Sequence, residues 1–324
     1  MFDFSSEVIQ AINSKFAAAC QWDIPLAQFT TAKVGGPAKL MITVRSKEEL
    51  ADAAELCWQY QLPLFVLGTG ANILVSSKGF NGVVIHNQAN KIQMEPDQTP
   101  PQIYAESGAN LGLAARKAAL AGISGLEWAA IVPGTVGGAV HGNAGAYGSN
   151  VQANLTVVEI LQPNSDPVFW NVEQMQYSYR SSTLKNSRIP AIILSAIFHG
   201  IKEDPSLIKA KMQTNSIHRK KTQPPGASMG SMFKNPPGDF AGRLIEAAGL
   251  KGTSVGGVTV SPIHANFFVN NEQATAEDYW QLIQKVKKDV YDKFQVKLEL
   301  EIEPIGFPYP TARPTTQIDG EQDD

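Results

Sequence analysis

The chain has 324 residues, room for two domains at roughly 150 residues each, and its 27 Lys and Arg against 30 Asp and Glu leave a net charge of −3. With no excess of positive charge to neutralise a phosphate backbone, the composition argues against a nucleic-acid partner. Hydrophobic residues at 43% and charged residues at 18% exclude a solvated, disordered chain and describe a globular one.

Cys20 and Cys57 are too few for a disulfide framework or a zinc site, and the five histidines fall at no HxxxH or HxH spacing, so no metal is expected. The N-terminal MFDFSSEVIQAINSKF carries early acidic residues and no secretory apolar core. Nowhere is there a run of about 18 apolar residues. A soluble, cytoplasmic protein without a membrane partner is expected.

In chain order, SKEE offers a capping box from Ser46 and Glu49, and Leu50, Ala53, Ala54, Cys57 and Trp58 follow at helical spacing as far as Gln61. LPLFVLG reads as a short buried strand, followed by the turn GTGAN and the strands ILVSS and GVVIHN. Strand, glycine turn, strand is not a dinucleotide-binding βαβ unit, and Ile73 stands where the third glycine of that fingerprint belongs. Asn110 caps a small helix carrying Leu111, Ala114, Ala115 and Ala118. LTVVEILQ, PVFWNV and AIILSAIFH are predicted strands.

At GIKEDPSL, Asp204 as N-cap and Pro205 at the first helical position begin a new helix, and a domain boundary is placed there. A strand HANFFVN follows, then a helix from Thr275 with Tyr279, Leu282, Ile283, Val286, Val290 and Phe294 on one stripe. KLELEIE reads as a final strand, with Leu298, Leu300 and Ile302 on one face and Glu299, Glu301 and Glu303 on the other. Residues 307–324, rich in Pro and Thr and acidic at the end, are expected to be disordered.

Sixteen of the 27 glycines fall in two windows, eight from Gly122 to Gly148 and eight from Gly226 to Gly257. There the backbone turns sharply or approaches something large, so both windows are the first places to look for a ligand. LGTGANILV could aim backbone amides at a phosphate. GLEWAAIVPGTVGGAVHGNAGAYG is too long and too apolar for a surface turn and suggests backbone wrapped around a cofactor. Taken singly, YSYRSS, GSMFKNP and Glu301 read as an exposed arginine, a Ser/Asn turn and a solvated carboxylate face. There is no P-loop and no nucleophile elbow.

Taken together and in order, TTAKVGGPAKL, LGTGANILV, GLEWAAIVPGTVGGAVHGNAGAYG, YSYRSS, GSMFKNP, AGRLIEAAGLKG, SPIHANFFVN and LELEIEPIG resemble the UDP-N-acetylenolpyruvoylglucosamine reductase family, from about Thr30 to Gly306. The resemblance implies an α+β fold. It begins with an FAD-binding region of the vanillyl-alcohol-oxidase-like type in two subdomains, residues 1–87 and 88–203, followed by an α+β substrate-binding domain, residues 204–306. It implies noncovalent FAD held by Gly68, Thr69, Gly70, Ala71, Asn72 and Ile73 and by Pro133, Gly134, Thr135, Gly137, Gly138, Asn143, Ala144 and Gly145. The catalytic trio would be Arg180, Ser231 and Glu301, with Tyr179, Lys234 and Asn235 at the substrate.

Three departures from the family pattern stand out. Thr69 and Ala71 replace small residues of the usual loop, Glu303 stands where a basic residue is common, and the short interval from Arg180 to Ser231 marks the subgroup without the extra tyrosine loop. Among the alternating carboxylates, Glu301 has the family's spacing to Ile305 and Gly306. The implied reaction is NADPH-dependent reduction of a UDP-sugar enolpyruvyl ether to UDP-N-acetylmuramate through FAD, in peptidoglycan precursor synthesis and hence cell-wall biogenesis. A flavin oxidase of the same superfamily and an inactive nucleotide-sugar or flavin binder are the competing readings.

Overall fold

The computed structural model describes residues 4–186, 189–271 and 273–308. The first subdomain comprises α1 (Ser6–Phe16), β1 (Cys20–Pro25), β2 (Pro37–Val44), α2 (Lys47–Gln59), β3 (Leu64–Leu67), β4 (Ile73–Val75) and β5 (Phe80–Asn87). Its sheet has the order β1-β2-β5-β3, antiparallel between β1 and β2 and parallel elsewhere. Val8, Ile12 and Phe16 of α1 and the stripe Leu50, Ala53, Ala54 and Cys57 of α2 pack on Leu40, Ile42 and Val44. Ser46 caps α2 by accepting from the Glu49 amide, but the Glu49 carboxylate turns to the Arg45 amide at 2.7 Å, so the reciprocal half of the expected capping box falls one residue early.

The second subdomain comprises β6 (Ile92–Glu95), β7 (Gln102–Glu106), α3 (Leu111–Leu120), β8 (Ile123–Ser124), α4 (Val136–Gly142), β9 (Gly145–Ala146), β10 (Ser149–Asn150), β11 (Leu155–Leu161), β12 (Val168–Asn171), the single turns α5 (Val172–Met175) and α6 (Thr183–Asn186), β13 (Ile192–His199) and β14 (Ile201–Lys202). Its antiparallel sheet runs β12-β11-β13-β7-β6. The two subdomains are keyed together by a polar contact. Lys47 Nζ lies 2.9 Å from both oxygens of the buried Glu159, which also accepts from Ser195 Oγ at 2.6 Å. A carboxylate at this depth is tolerated because both its charge and its lone pairs are met.

The last part holds α7 (Pro205–Thr222), α8 (Ala241–Ala247), β15 (Ser254–Val255), β16 (Val258–Val260), β17 (Phe268–Asn270), α9 (Ala276–Phe294) and β18 (Glu303–Ile305). Thr275 caps α9 in a reciprocal box with Asp278, and Tyr279, Leu282, Ile283, Val286 and Val290 are fully buried against Val258, Val260, Phe268, Leu298, Leu300 and Ile302. Asp204 and Pro205 open α7 as its sequence predicts. That helix offers Ile208 alone for burial, and it lies against α3 and the 3-10 turn Glu127–Ile131, with Arg219 Nη1 donating to Ile131 O at 2.7 Å. A helix that the sequence groups with the substrate domain thus packs on the second subdomain.

KLELEIE is not the continuous strand its alternation predicts. Regular pairing is confined to β18, which joins β4 in parallel, and Leu300 makes an isolated bridge with Phe233. The apolar half of the pattern is kept, with Leu298, Leu300 and Ile302 buried, but the backbone bonds go to different partners along the way. Of the tail expected to be disordered, residues 309–324 lie outside the described residues, while Phe307 stacks on Trp280 at 4.7 Å between ring centroids.

The first turn of α9 is also tied to the first subdomain, because the Glu277 carboxylate accepts from both the amide and the hydroxyl of Ser77. Partial burial pushes this carboxyl up, yet the Ser77 hydrogen bonds outweigh it and leave its pKa below the ordinary value. A depressed folded pKa gives stabilisation that is present above the unfolded pKa and lost as pH falls through the folded one. Glu277→Gln should therefore lower the thermal midpoint at about pH 7, and the gap from the parent should close as pH falls toward about 3. An equal gap at both ends of a pH series of melting curves would refute the tie.

Candidate active site

Two of the sequence motifs meet directly. A Cβ on Gly68 would lie 2.7 Å from the Thr135 side chain, so the turn after β3 is seated on the start of α4. Gly70 has φ +60, and a Cβ there would meet Phe29 O at 2.2 Å. The loop is clamped from outside by Thr31, whose amide donates to Gly70 O at 3.1 Å. Within the described residues, the amides of Thr69, Gly70, Ala71 and Asn72 donate to no protein acceptor.

On the other side, Thr135 caps α4 by accepting from Gly138, and the Gly137 amide donates to Ser107 O at 2.7 Å. Ser107 is held in turn by Asn87 Nδ2 at 2.8 Å, which registers α4 on the end of β5. Open space lies over Gly134 and Gly142, where a Cβ would meet nothing within 4 Å. The result is a length of glycine backbone beside four unpaired amides, the donor set an anionic diphosphate requires.

Arg180 stands in a tight turn, with Ser178 and Ser181 exchanging backbone hydrogen bonds at 3.2 and 3.1 Å, and has φ +56. A non-glycine residue there is strained and persists where its neighbours over-determine it. They do so at the C-terminus of α4, whose last carbonyls lack intrahelical donors. Tyr177 OH donates to Val140 O at 2.9 Å, Ser182 Oγ to His141 O at 2.6 Å, and Asn143 Nδ2 to Ser178 O at 3.0 Å. Burial raises the Tyr177 pKa, which keeps the phenol a neutral donor. Burial likewise lowers the His141 pKa, so the imidazole is neutral near pH 7.

From this turn the guanidinium reaches Glu301, 121 residues away, with Nε 2.7 Å from Oε1, while Nη2 donates to Gly145 O at 2.9 Å. The side chains are 23% and 17% exposed, so the pair is shielded enough for its charges to act at short range. Glu303 pairs with Lys185 at 2.5 Å and Glu299 with Lys234 at 3.5 Å, and the Glu299 side chain is 73% exposed. The three alternating carboxylates therefore have three different fates, and Glu301 is not the solvated one.

Ser231 follows Gly230, at φ +75, and bridges Phe267. The next residue, Met232, accepts from the Glu301 amide at 2.9 Å, and Lys234 donates through its amide to Glu299 O at 2.9 Å. The other edge is held by buried Asn266, whose side chain bonds Phe233 N at 3.0 Å and Phe233 O at 2.8 Å. Asn72 closes the set, its Nδ2 donating to Glu301 O at 3.1 Å and its carbonyl accepting from Glu303 at 2.8 Å. Ser231 and Glu301 thus lie on directly paired segments, and Arg180 enters from the second subdomain.

Tyr179 is half exposed, with its ring 5.3 Å from the Arg180 guanidinium and its hydroxyl at 3.5 Å from the Asn235 amide. Asn235 Oδ1 accepts from Ala241 at 3.1 Å. Sequence reasoning missed Tyr177, Ser178, Ser182, Asn266 and Lys185, whose work is to hold other residues. The blocks YSYRSS and SPIHANFFVN contain Tyr177, Ser178, Ser182 and Asn266, but give no sign of the distant groups these residues bond. The second glycine window contributes Ser231, and its turns are the sharp ones expected, with positive φ at Gly226, Gly230, Gly238, Gly249, Gly252 and Gly256, while a Cβ on Gly257 would meet Ala274 N at 2.4 Å.

Residues 221–305 match the C-terminal domain of UDP-N-acetylenolpyruvoylglucosamine reductase, and residues 38–168 match an FAD-binding domain. The reductase of Chloroflexus aggregans is 39% identical over 87% of this chain and 96% of its own, and that of Bacillus subtilis 37% over 93% and 98%. The chain belongs to this family. The crystal structure of the enzyme from Thermus caldophilus superposes with a TM-score of 0.76 at 34% identity, covering 87% of this chain and 97% of that one. The protein is thus an FAD-dependent oxidoreductase of the peptidoglycan-precursor reduction step. No helix among the described residues is long and apolar enough to cross a membrane.

The cradle makes a sharp requirement at Gly70. Gly70→Ala should lower the flavin-to-protein absorbance ratio of the purified enzyme and lower its stability by about 1 kcal/mol or more. A variant that melts with the parent and retains a full flavin complement would refute the requirement.

Proposed function

We propose that Arg180, Ser231 and Glu301 carry out the reduction of a UDP-sugar enolpyruvyl ether to the lactyl ether, with NADPH as the electron source. The observation that carries this reading is the Arg180–Glu301 pair at 2.7 Å, set between the glycine cradle and the Ser231 segment. The cradle fits noncovalent FAD: residues 68–73 offer amides to a diphosphate, Gly134, Gly137, Gly138 and Gly145 offer glycine backbone for close approach, and the 68–72 loop holds no His or Cys for covalent attachment. Bound FAD supplies the hydride transfer that no side chain can carry.

The chain's own residues supply position, charge and a proton. Glu301 and Gly145 O fix the guanidinium plane through Nε and Nη2, and Nη1 is left to meet the substrate carboxylate, on which negative charge builds as C3 receives hydride. The planar fork suits a carboxylate better than an ammonium would. Ser231 Oγ has no hydrogen-bond partner among the described residues, and it delivers its proton to C2 before recovering one from solvent. A serine hydroxyl is a weak acid, so this transfer requires a strongly basic centre at C2, which hydride addition at C3 creates. Tyr179 touches both Arg180 and Asn235, Lys234 precedes Asn235, and the three are assigned to the UDP-sugar. The free thiols of Cys20 and Cys57 fit the cytoplasm, where we place the protein.

Ser231→Ala should slow reoxidation of the reduced flavin by the enolpyruvyl ether by about 10²-fold or more, while anaerobic flavin reduction by NADPH stays near the parent rate. Stopped-flow absorbance resolves the two half-reactions. Equal loss of both would remove Ser231 from the acid role, and a parent enzyme reoxidised by oxygen but not by the ether would overturn the reductase reading.

A further inference from the structure

Asn143 belongs by sequence to the cofactor-binding stretch, but its side chain is buried and both of its polar atoms bond protein. Its relative exposure is 4%, Nδ2 donates to Ser178 O at 3.0 Å, and Oδ1 accepts from the Gln152 amide at 3.1 Å. Its backbone ends α4 in the left-handed region, φ 46 and ψ 56. We infer that Asn143 is a positioning residue for Arg180: it sets the strained turn that aims the guanidinium and does not hold the cofactor through its side chain. This role for Asn143 rests on the reading of Arg180 given above.

Two independent paths converge on this asparagine. Through Nδ2 it grips the first carbonyl of the 178–181 turn, two residues before Arg180. Through Oδ1 it orders the 143–152 hairpin, whose Gly145 carbonyl accepts from Arg180 Nη2 at 2.9 Å. Both the base and the tip of the arginine are therefore referenced to one side chain. Tyr177 and Ser182 hold the flanks of the turn to α4, but among the described residues Asn143 alone bonds Ser178 O from that helix end. Strain at φ +56 makes the geometry dependent on such restraints, because the relaxed turn would release Arg180.

Two substitutions separate positioning from folding. Asn143→Gly keeps the left-handed helix end, which glycine favours, and removes both side-chain bonds. Asn143→Asp keeps an acceptor for Gln152 and loses the donor to Ser178. In cofactor-free protein, amide hydrogen exchange at Ser178 and Ser181 should quicken about fivefold or more in both variants, while α4 and the β-sheet core stay at parent protection. In the FAD-loaded enzyme, flavin content and reduction by NADPH should stay within about threefold of the parent, whereas reoxidation by the enolpyruvyl ether should fall about tenfold. Unchanged exchange at the two serine amides overturns the inference, as does loss of flavin reduction equal to the loss of reoxidation, which would make Asn143 a cofactor residue. Failure of the parent itself to be reoxidised by the ether sinks the reductase reading, and the exchange measurement still decides the positioning role.

Discussion

Residues 299–305 impose the constraint on which the site depends. This stretch divides its backbone hydrogen bonds between two neighbours: Glu299 O accepts from Lys234 and the Glu301 amide donates to Met232 O on one side, and the Glu303 amide donates to Asn72 O on the other. An ordinary edge strand pairs with one partner and leaves its other side to solvent. Here the stretch is a seam between the Ser231 segment and the glycine loop, so Glu301 is fixed relative to both before its carboxylate meets Arg180.

The energetics of that meeting favour geometry over stability. Desolvating a carboxylate and a guanidinium costs several kcal/mol, and their attraction repays it only with good hydrogen-bond geometry. The Nε–Oε1 and Nη2–Gly145 contacts meet that condition and fix the plane of the guanidinium. Strain at Arg180 and the buried donors Tyr177, Ser182 and Asn143 belong to the same arrangement. Together they hold the guanidinium in one orientation.

The sequence was most legible where one local rule decides. The α9 stripe, the Thr275 and Asn110 caps, and Asp204–Pro205 follow from periodicity and capping chemistry, and the structure has them at those residues. It was least legible where partners lie far apart along the chain. Alternation in KLELEIE gave the buried face of Leu298, Leu300 and Ile302 but could not reveal that Glu301 meets a cation 121 residues away. Residue type left Asn143 open, because an asparagine among glycines suits a cofactor loop and a helix end equally well. The second glycine window kept two readings open for a related reason: a positive φ and a close approach select the same residue.

The Asn72 to Glu301 contact spans 229 residues, nearly the whole length between the cradle and the end of the described chain. During synthesis the first two subdomains can emerge and collapse while this contact is still impossible, since domains fold from the N-terminus as they leave the ribosome. Assembly of the reactive centre must therefore wait for the final β-strand. A chain that ended after α9 would lack Glu301 and would leave β4 without its strand partner β18.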